Sequence, residues 1–170
     1  MNVPNKLTVL RVVLIPLCLL CILLGWDIPA AVVFALAALT DLLDGYLARR
    51  DNLVTNFGKF ADPVADKILS LTVMIALLAR GLYPWWAVCI VAARELAVDG
   101  LRLIAVEQGQ VIPAGQLGKI KTNAQFFSIL SALLHLPGWI TLTLVVVMSV
   151  LTILSGLQYF YNGRKLFSEN

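Results

Sequence analysis

Charge is scarce in this chain: Asp, Glu, Lys and Arg make up 14% of its 170 residues, against 60% hydrophobic ones, where a soluble domain carries about 25% charged side chains. That shortage excludes a water-solvated surface over most of the molecule, and a mean hydropathy of +0.88 agrees. Histidine occurs once, at His135, in the apolar setting LLHLPG, where a structural or interfacial role outweighs catalysis. The three cysteines, Cys18, Cys21 and Cys89, all fall in apolar runs, so the CxxC at 18 and 21 reads as packing rather than as a metal or redox motif. Internal repeats and low-complexity tracts are absent, which argues against an inverted-repeat transporter. The first apolar run, VVLIPLCLLCILLG, lacks a small-residue cleavage site and is expected to stay as a membrane span.

What is present is a succession of apolar stretches. At roughly 20 residues per span the chain has room for about six helices with short connections and no separate soluble domain. Residues 1–170 are therefore expected to form a single all-α, polytopic membrane domain. Divided at charges, Pro and Gly, it is expected to have helices near 7–25, 28–49, 60–80, 84–106, 119–136 and 139–162. Ahead of the first, MNVPNKLT reads as a short segment lying along the interface.

The joins GWDIP, RGLYPWW and LPGW then share one side of the membrane, which holds Arg80 as its only basic residue. The other side collects Lys6, Arg11, Arg49, Arg50, Lys59, Lys67, Arg94, Arg102, Lys119, Lys121, Arg164 and Lys165. Positive charge marks the cytoplasmic side, so both termini are expected there. Trp85, Trp86 and Trp139 read as interfacial anchors on the outer side. A basic face beside an apolar core suits anionic headgroups or phosphorylated substrates, with no sign of nucleic acid as a partner.

Four aspartates, Asp41, Asp44, Asp62 and Asp66, fall within 26 residues at the cytoplasmic edges of two consecutive helices. Asp41 and Asp44 lie about 60° apart around a helix, and Asp62 and Asp66 about 40°, so each pair shares a face. One alternative is a set of solvated helix ends neutralised by Arg49, Lys59 and Lys67. Four carboxylates at close range repel, however, and all-oxygen ligation favours a hard divalent ion, Mg²⁺ or Mn²⁺, with room for two. Gly45 opens the helix backbone to a substrate, and Arg49 stands four residues further on the same face, suited to forking onto phosphate oxygens. Gly58 clears the stripe that leads to Asp62 and Asp66, and both glycines serve equally for close helix packing.

On another helix Arg94, Glu95, Asp99 and Arg102 fall within about a 140° arc. Lys119 and Lys121 open the helix after it. Arg94, Arg102, Lys119 and Lys121, with Lys59 as an outlying candidate, make a candidate pocket for the phosphate of a soluble acceptor. The alternative is simple pairing of Arg94 and Arg102 with Glu95 and Asp99.

As one string, DLLDGYLARRDNLVTNFGKFADPVAD has the form DxxDGxxAR, eight residues, then GxxxDxxxD. It resembles the signature of the CDP-alcohol phosphatidyltransferase family, with every fixed position present. The resemblance implies the CDP-alcohol phosphotransferase fold: six membrane helices, a cytoplasm-facing polar cavity and a homodimer. It implies that Asp41, Asp44 and Asp62 ligate a pair of divalent ions. Asp66 would complete the metal site and act as general base, and Gly45, Arg49 and Thr55 would hold the CDP moiety. Asn5, Thr8 and Arg11 of the first helix would close the cavity onto nucleotide or pyrophosphate, Arg11 having the alternative of reaching lipid headgroups. The segments NKLTVLR, GKFADPVADKIL, ARELAVDGLR, EQG and GQLGKIKTNAQ resemble the bacterial branch that makes phosphatidylglycerophosphate. That branch takes CDP-diacylglycerol and sn-glycerol 3-phosphate as substrates. Siblings using inositol phosphate, serine or phosphatidylglycerol are the alternative, and a divalent-cation or proton transporter a distant one.

Overall fold

Proline and glycine divide the chain into six helices. A computed structural model describes residues 3–50, 56–110 and 115–164, with the side chains of 3–6, 41–50 and 56–63 left aside. In order the helices are α1 (Val3–Leu23), α2 (Asp27–Arg50), α3 (Asn56–Ala79), α4 (Trp85–Glu107), α5 (Gln116–Leu133) and α6 (Gly138–Asn162), an all-α fold with no strand among the described residues. α1 begins at Val3, so most of the stretch read as an interfacial segment forms the first turns of this helix, with Pro4 where a missing N–H does no harm. Among the described residues α6 is the one helix long and apolar enough to cross a membrane; the apolar stretches Leu7–Leu23 and Asp27–Thr40 are shorter.

The helix ends have a common chemistry. α1 stops where Gly25 takes φ 76°, with Trp26 N–H donating to Cys21 C=O at 2.8 Å and Gly25 N–H to Ile22 C=O at 3.1 Å. This left-handed closing turn satisfies carbonyls that the helix leaves open, and glycine adopts it without a Cβ clash. α5 closes in the same way with a histidine: His135 has φ 48°, and Leu136 N–H donates to Ser131 C=O at 3.0 Å. The turn at His135 ends the helix at Leu133, short of the expected 136. Pro84 and Pro137 stand immediately before α4 and α6 and preset the backbone for helix entry.

The contacts divide into two compact units, Met1–Tyr83 with Ala132–His135, and Pro84–Ser131 with Leu136–Asn170. In the first, α1 packs along α2 and α3, and α2 also meets α3. Its buried side chains include Ile15, Cys18, Ile22, Phe34, Leu69, Val73, Met74 and Leu77, and the Cys18 thiol donates to Ala30 C=O. Cys18 and Cys21 are thus free thiols used as small core side chains. Three of this unit's turns and helix ends meet at one carboxylate. Asp27, the first residue of α2, accepts hydrogen bonds from both Arg80 Nη atoms, while His135 Nε2 lies 2.6 Å from its Oδ2.

In the second unit α4 packs on α6, with Val98, Leu101 and Ala105 forming one cluster with Tyr159. Apolar side chains also cover the outside: Val12, Val13, Leu17 and Leu20 of α1, and Leu142, Val146, Val150 and Leu157 of α6, are all exposed. Helices apolar on their outer faces as well as inside suit a nonpolar solvent better than water.

Candidate active site

The aspartate motif occupies the end of α2 and the beginning of α3. Positions 41 and 44 lie in the last turns of α2, and positions 62 and 66 lie in α3. Helix is continuous through both segments, so each (i, i+3) or (i, i+4) pair of positions stays on one face, and α2 packs against α3. Asp66 is half-buried in this setting and interacts with its surroundings. All four side chains are carboxylates, a chemistry that would suit a hard divalent cation rather than a soft one; among the described residues no group of three or more His, Cys, Asp or Glu comes together. Gly45 and Arg49 belong to α2, and Lys59 to α3, with side chains outside the described residues; Thr55 lies wholly outside them.

From the first helix, position 5 belongs to α1, its side chain also outside the described residues. Thr8 and Arg11 are both fully buried, one turn apart on one face. Arg11 therefore does not extend to lipid headgroups. A guanidinium in this apolar setting needs partners, and Arg11 interacts with its surroundings.

The cationic residues of the second unit separate into two arrangements. Glu95 Oε1 accepts a hydrogen bond from Lys121 Nζ at 2.6 Å and another from Arg94 Nη1 at 3.1 Å. A single carboxylate oxygen on α4 thus holds a neighbouring arginine and a lysine from α5. The Arg94 stem runs past Gly156 of α6, where an added Cβ would come within 3.3 Å of its Cγ, and Nη2 ends beside Gly118 of α5. Its Nε is buried with no hydrogen-bond partner among the described residues. A buried donor of this kind is costly unless an oxygen comes to meet it.

Arg102 goes elsewhere. It is exposed, its Nε donates to Tyr159 Oη at 3.1 Å, and its guanidinium carbon lies 5.5 Å from the centre of that ring. Lys119, two residues before Lys121, is exposed. Of the four cations assigned to one pocket, the structure brings together Arg94 and Lys121. Sequence reasoning missed Gly156, which carries no motif and whose role appears only where another helix's arginine passes it.

The family model described as CDP-alcohol phosphatidyltransferase matches residues 1–154, most of the chain. The chain belongs to the CDP-alcohol phosphatidyltransferase family. Among similar proteins, the CDP-diacylglycerol–glycerol-3-phosphate 3-phosphatidyltransferase of Bacillus subtilis (strain 168) is 43% identical over 149 residues, 79% of this chain and 77% of that one. The protein of the same name from Escherichia coli (strain K12) is 40% identical over 175 aligned positions, 96% of this chain and 95% of the relative. A probable phosphatidylglycerophosphate synthase of Mycobacterium tuberculosis (strain ATCC 25618 / H37Rv) is 40% identical over 167 positions, 93% of this chain and 79% of that one. The matched residues include the helix pair that bears the string DxxDGxxAR…GxxxDxxxD.

Proposed function

We propose that this chain transfers the phosphatidyl group of CDP-diacylglycerol to sn-glycerol 3-phosphate, giving phosphatidylglycerophosphate and CMP. The observation that carries the reading is the match, along nearly its whole length, to the Escherichia coli relative that bears this activity as its name. A half-buried arginine whose Nε is buried and unmet, beside a buried lysine, supports an acceptor that itself carries phosphate.

In this reading Asp66 takes the proton from the primary hydroxyl of the acceptor. The freed oxygen bonds to the phosphorus that bears diacylglycerol, and the bond from that phosphorus to the CMP oxygen breaks. Divalent cations, Mg²⁺ or Mn²⁺ and two in number, held by Asp41, Asp44, Asp62 and Asp66, would spread the pyrophosphate charge and stabilise the leaving oxygen. Gly45, Arg49, Thr55, Asn5 and Thr8 bind the CDP end of the lipid donor. Arg94 and Lys121 hold the acceptor phosphate, with Lys119, Arg102 and Lys59 as further cations of the set. Residues 1–170 act as one domain, as a homodimer, with six helices spanning the bacterial cytoplasmic membrane and the aspartates on the cytoplasmic side. The apolar outer faces and the one-sided basic charge support that placement.

The test is CMP release by purified protein in detergent, given CDP-diacylglycerol and Mg²⁺ with a panel of acceptors. Release with sn-glycerol 3-phosphate, abolished by a chelator and restored by Mg²⁺ or Mn²⁺, is expected. Release only with inositol phosphate or serine would replace the acceptor, and cation uptake into proteoliposomes without CMP would replace the enzyme by a transporter.

A further inference from the structure

Arg94 and Glu95 are neighbours on α4, where consecutive side chains point about 100° apart. Even so, Arg94 Nη1 and Lys121 Nζ both donate to the same oxygen, Glu95 Oε1, at 3.1 and 2.6 Å. The two cationic nitrogens can be no further apart than those two distances laid end to end. At that separation, with both side chains largely buried, two positive charges repel strongly unless an anion stands between them. A carboxylate inside a phosphate-binding site would by itself repel the ligand, so its presence there needs a reason.

We propose that Glu95 is the positioning residue of the acceptor-phosphate subsite: one carboxylate oxygen gathers Arg94 and Lys121 to a spacing that a single phosphate group spans. The inference rests on the proposed acceptor reading. Glu95 does not touch the acceptor; it acts through the two cations. Each of them commits one N–H to Oε1, and Arg94 keeps its buried Nε for a ligand oxygen. Gly156 completes the arrangement by leaving room for the arginine along α6. Lysine has three donors on a flexible stem, and the contact with Oε1 fixes the direction of one of them.

The test uses the full-length protein in detergent, with KM measured separately for sn-glycerol 3-phosphate and CDP-diacylglycerol in Lys121→Met, Glu95→Gln and the double variant. Lys121→Met and Glu95→Gln are each expected to raise the acceptor KM tenfold or more, with the donor KM within twofold of the parent. The double variant should be worse than Lys121→Met alone by less than the full Glu95→Gln factor, because part of the Glu95 effect runs through that lysine and the rest through Arg94. If Lys121→Met raises the acceptor KM but Glu95→Gln does not, or if the two effects multiply, Glu95 is not the positioning residue and the acceptor reading stands. An acceptor KM unchanged in Lys121→Met means that the acceptor reading itself fails, and this inference with it. Should Glu95→Gln not fold, Glu95→Asp makes the same comparison: its shorter carboxylate keeps the charge but cannot reach both cations, and must also raise the acceptor KM alone.

Discussion

Lys121 of α5 and Glu95 of α4 form an ion pair of 2.6 Å, with side chains only 6% and 9% exposed. Breaking such a pair from one side strands a charge in an apolar interior, which costs about 3 kcal/mol or more. Lys121→Met leaves Glu95 the Arg94 hydrogen bond as partial compensation, so it is expected to lower the thermal stability of the detergent-solubilised protein by a fraction of that cost. A melting temperature equal to the parent's would mean that Glu95 finds other compensation.

Asp66 is the proposed base, half-buried on α3. Asp66→Asn keeps the shape and removes the proton acceptor, so kcat should fall by roughly 10²–10⁴-fold, the usual contribution of a positioned base. CDP-diacylglycerol binding, followed by equilibrium titration, should survive in large part. Near-parental turnover would assign the base elsewhere.

Glycines test the path of Arg94. A Cβ at Gly156 would come within 3.3 Å of Arg94 Cγ, tighter than ordinary contact, whereas one at Gly118 would stand 3.8 Å from Nη2, ordinary van der Waals distance. Gly156→Ala should therefore raise the acceptor KM several-fold, and Gly118→Ala should change it little. Equal effects in steady-state assays of the two variants would disprove the threading of the arginine past α6.

Asp27 predicts an acid limb in stability. Its hydrogen bonds from Arg80 hold the carboxyl below its ordinary range, opposed by burial and reinforced by His135. It stands ahead of the apolar run that begins at Ile28. A depressed folded-state value means that the stabilisation is complete above the ordinary carboxylate pKa of about 3.9 and is lost as pH falls through the folded value. Parent and Asp27→Asn should differ in melting temperature at pH 5 and above, and begin to converge below about 4. A gap that persists undiminished in stronger acid would rule out the ionised carboxylate as its source.

Much of this was legible in the residues. Six helices follow from six apolar stretches between Pro, Gly and charge, because a chain that cannot hydrogen-bond to lipid must satisfy its backbone locally. The expected ends were off by a few residues where a cap decided them. Val3 rather than Leu7 begins α1, and α5 ends early because His135 adopts a left-handed conformation usually left to glycine. Position 135 carries no such signal, since its neighbours in the sequence do not include Asp27, the partner that holds it.

The candidate site divides along the same line. Asp41, Asp44, Asp62 and Asp66 form a local pattern: helical periodicity alone puts each pair on one face, so a motif can be recognised without knowing the packing. The partners of a long cation are a different matter. Arg94, Arg102 and Lys121 are equally basic in the sequence, yet Arg102 turns to the Tyr159 hydroxyl while Arg94 and Lys121 meet on Glu95. The sequence by itself determined the helices, their apolar character and the aspartate signature, because these depend on periodicity and composition. Only the tertiary structure decided which cations share an anion, because a flexible side chain's choice rests on what neighbouring helices bring within its reach, down to the missing Cβ of Gly156.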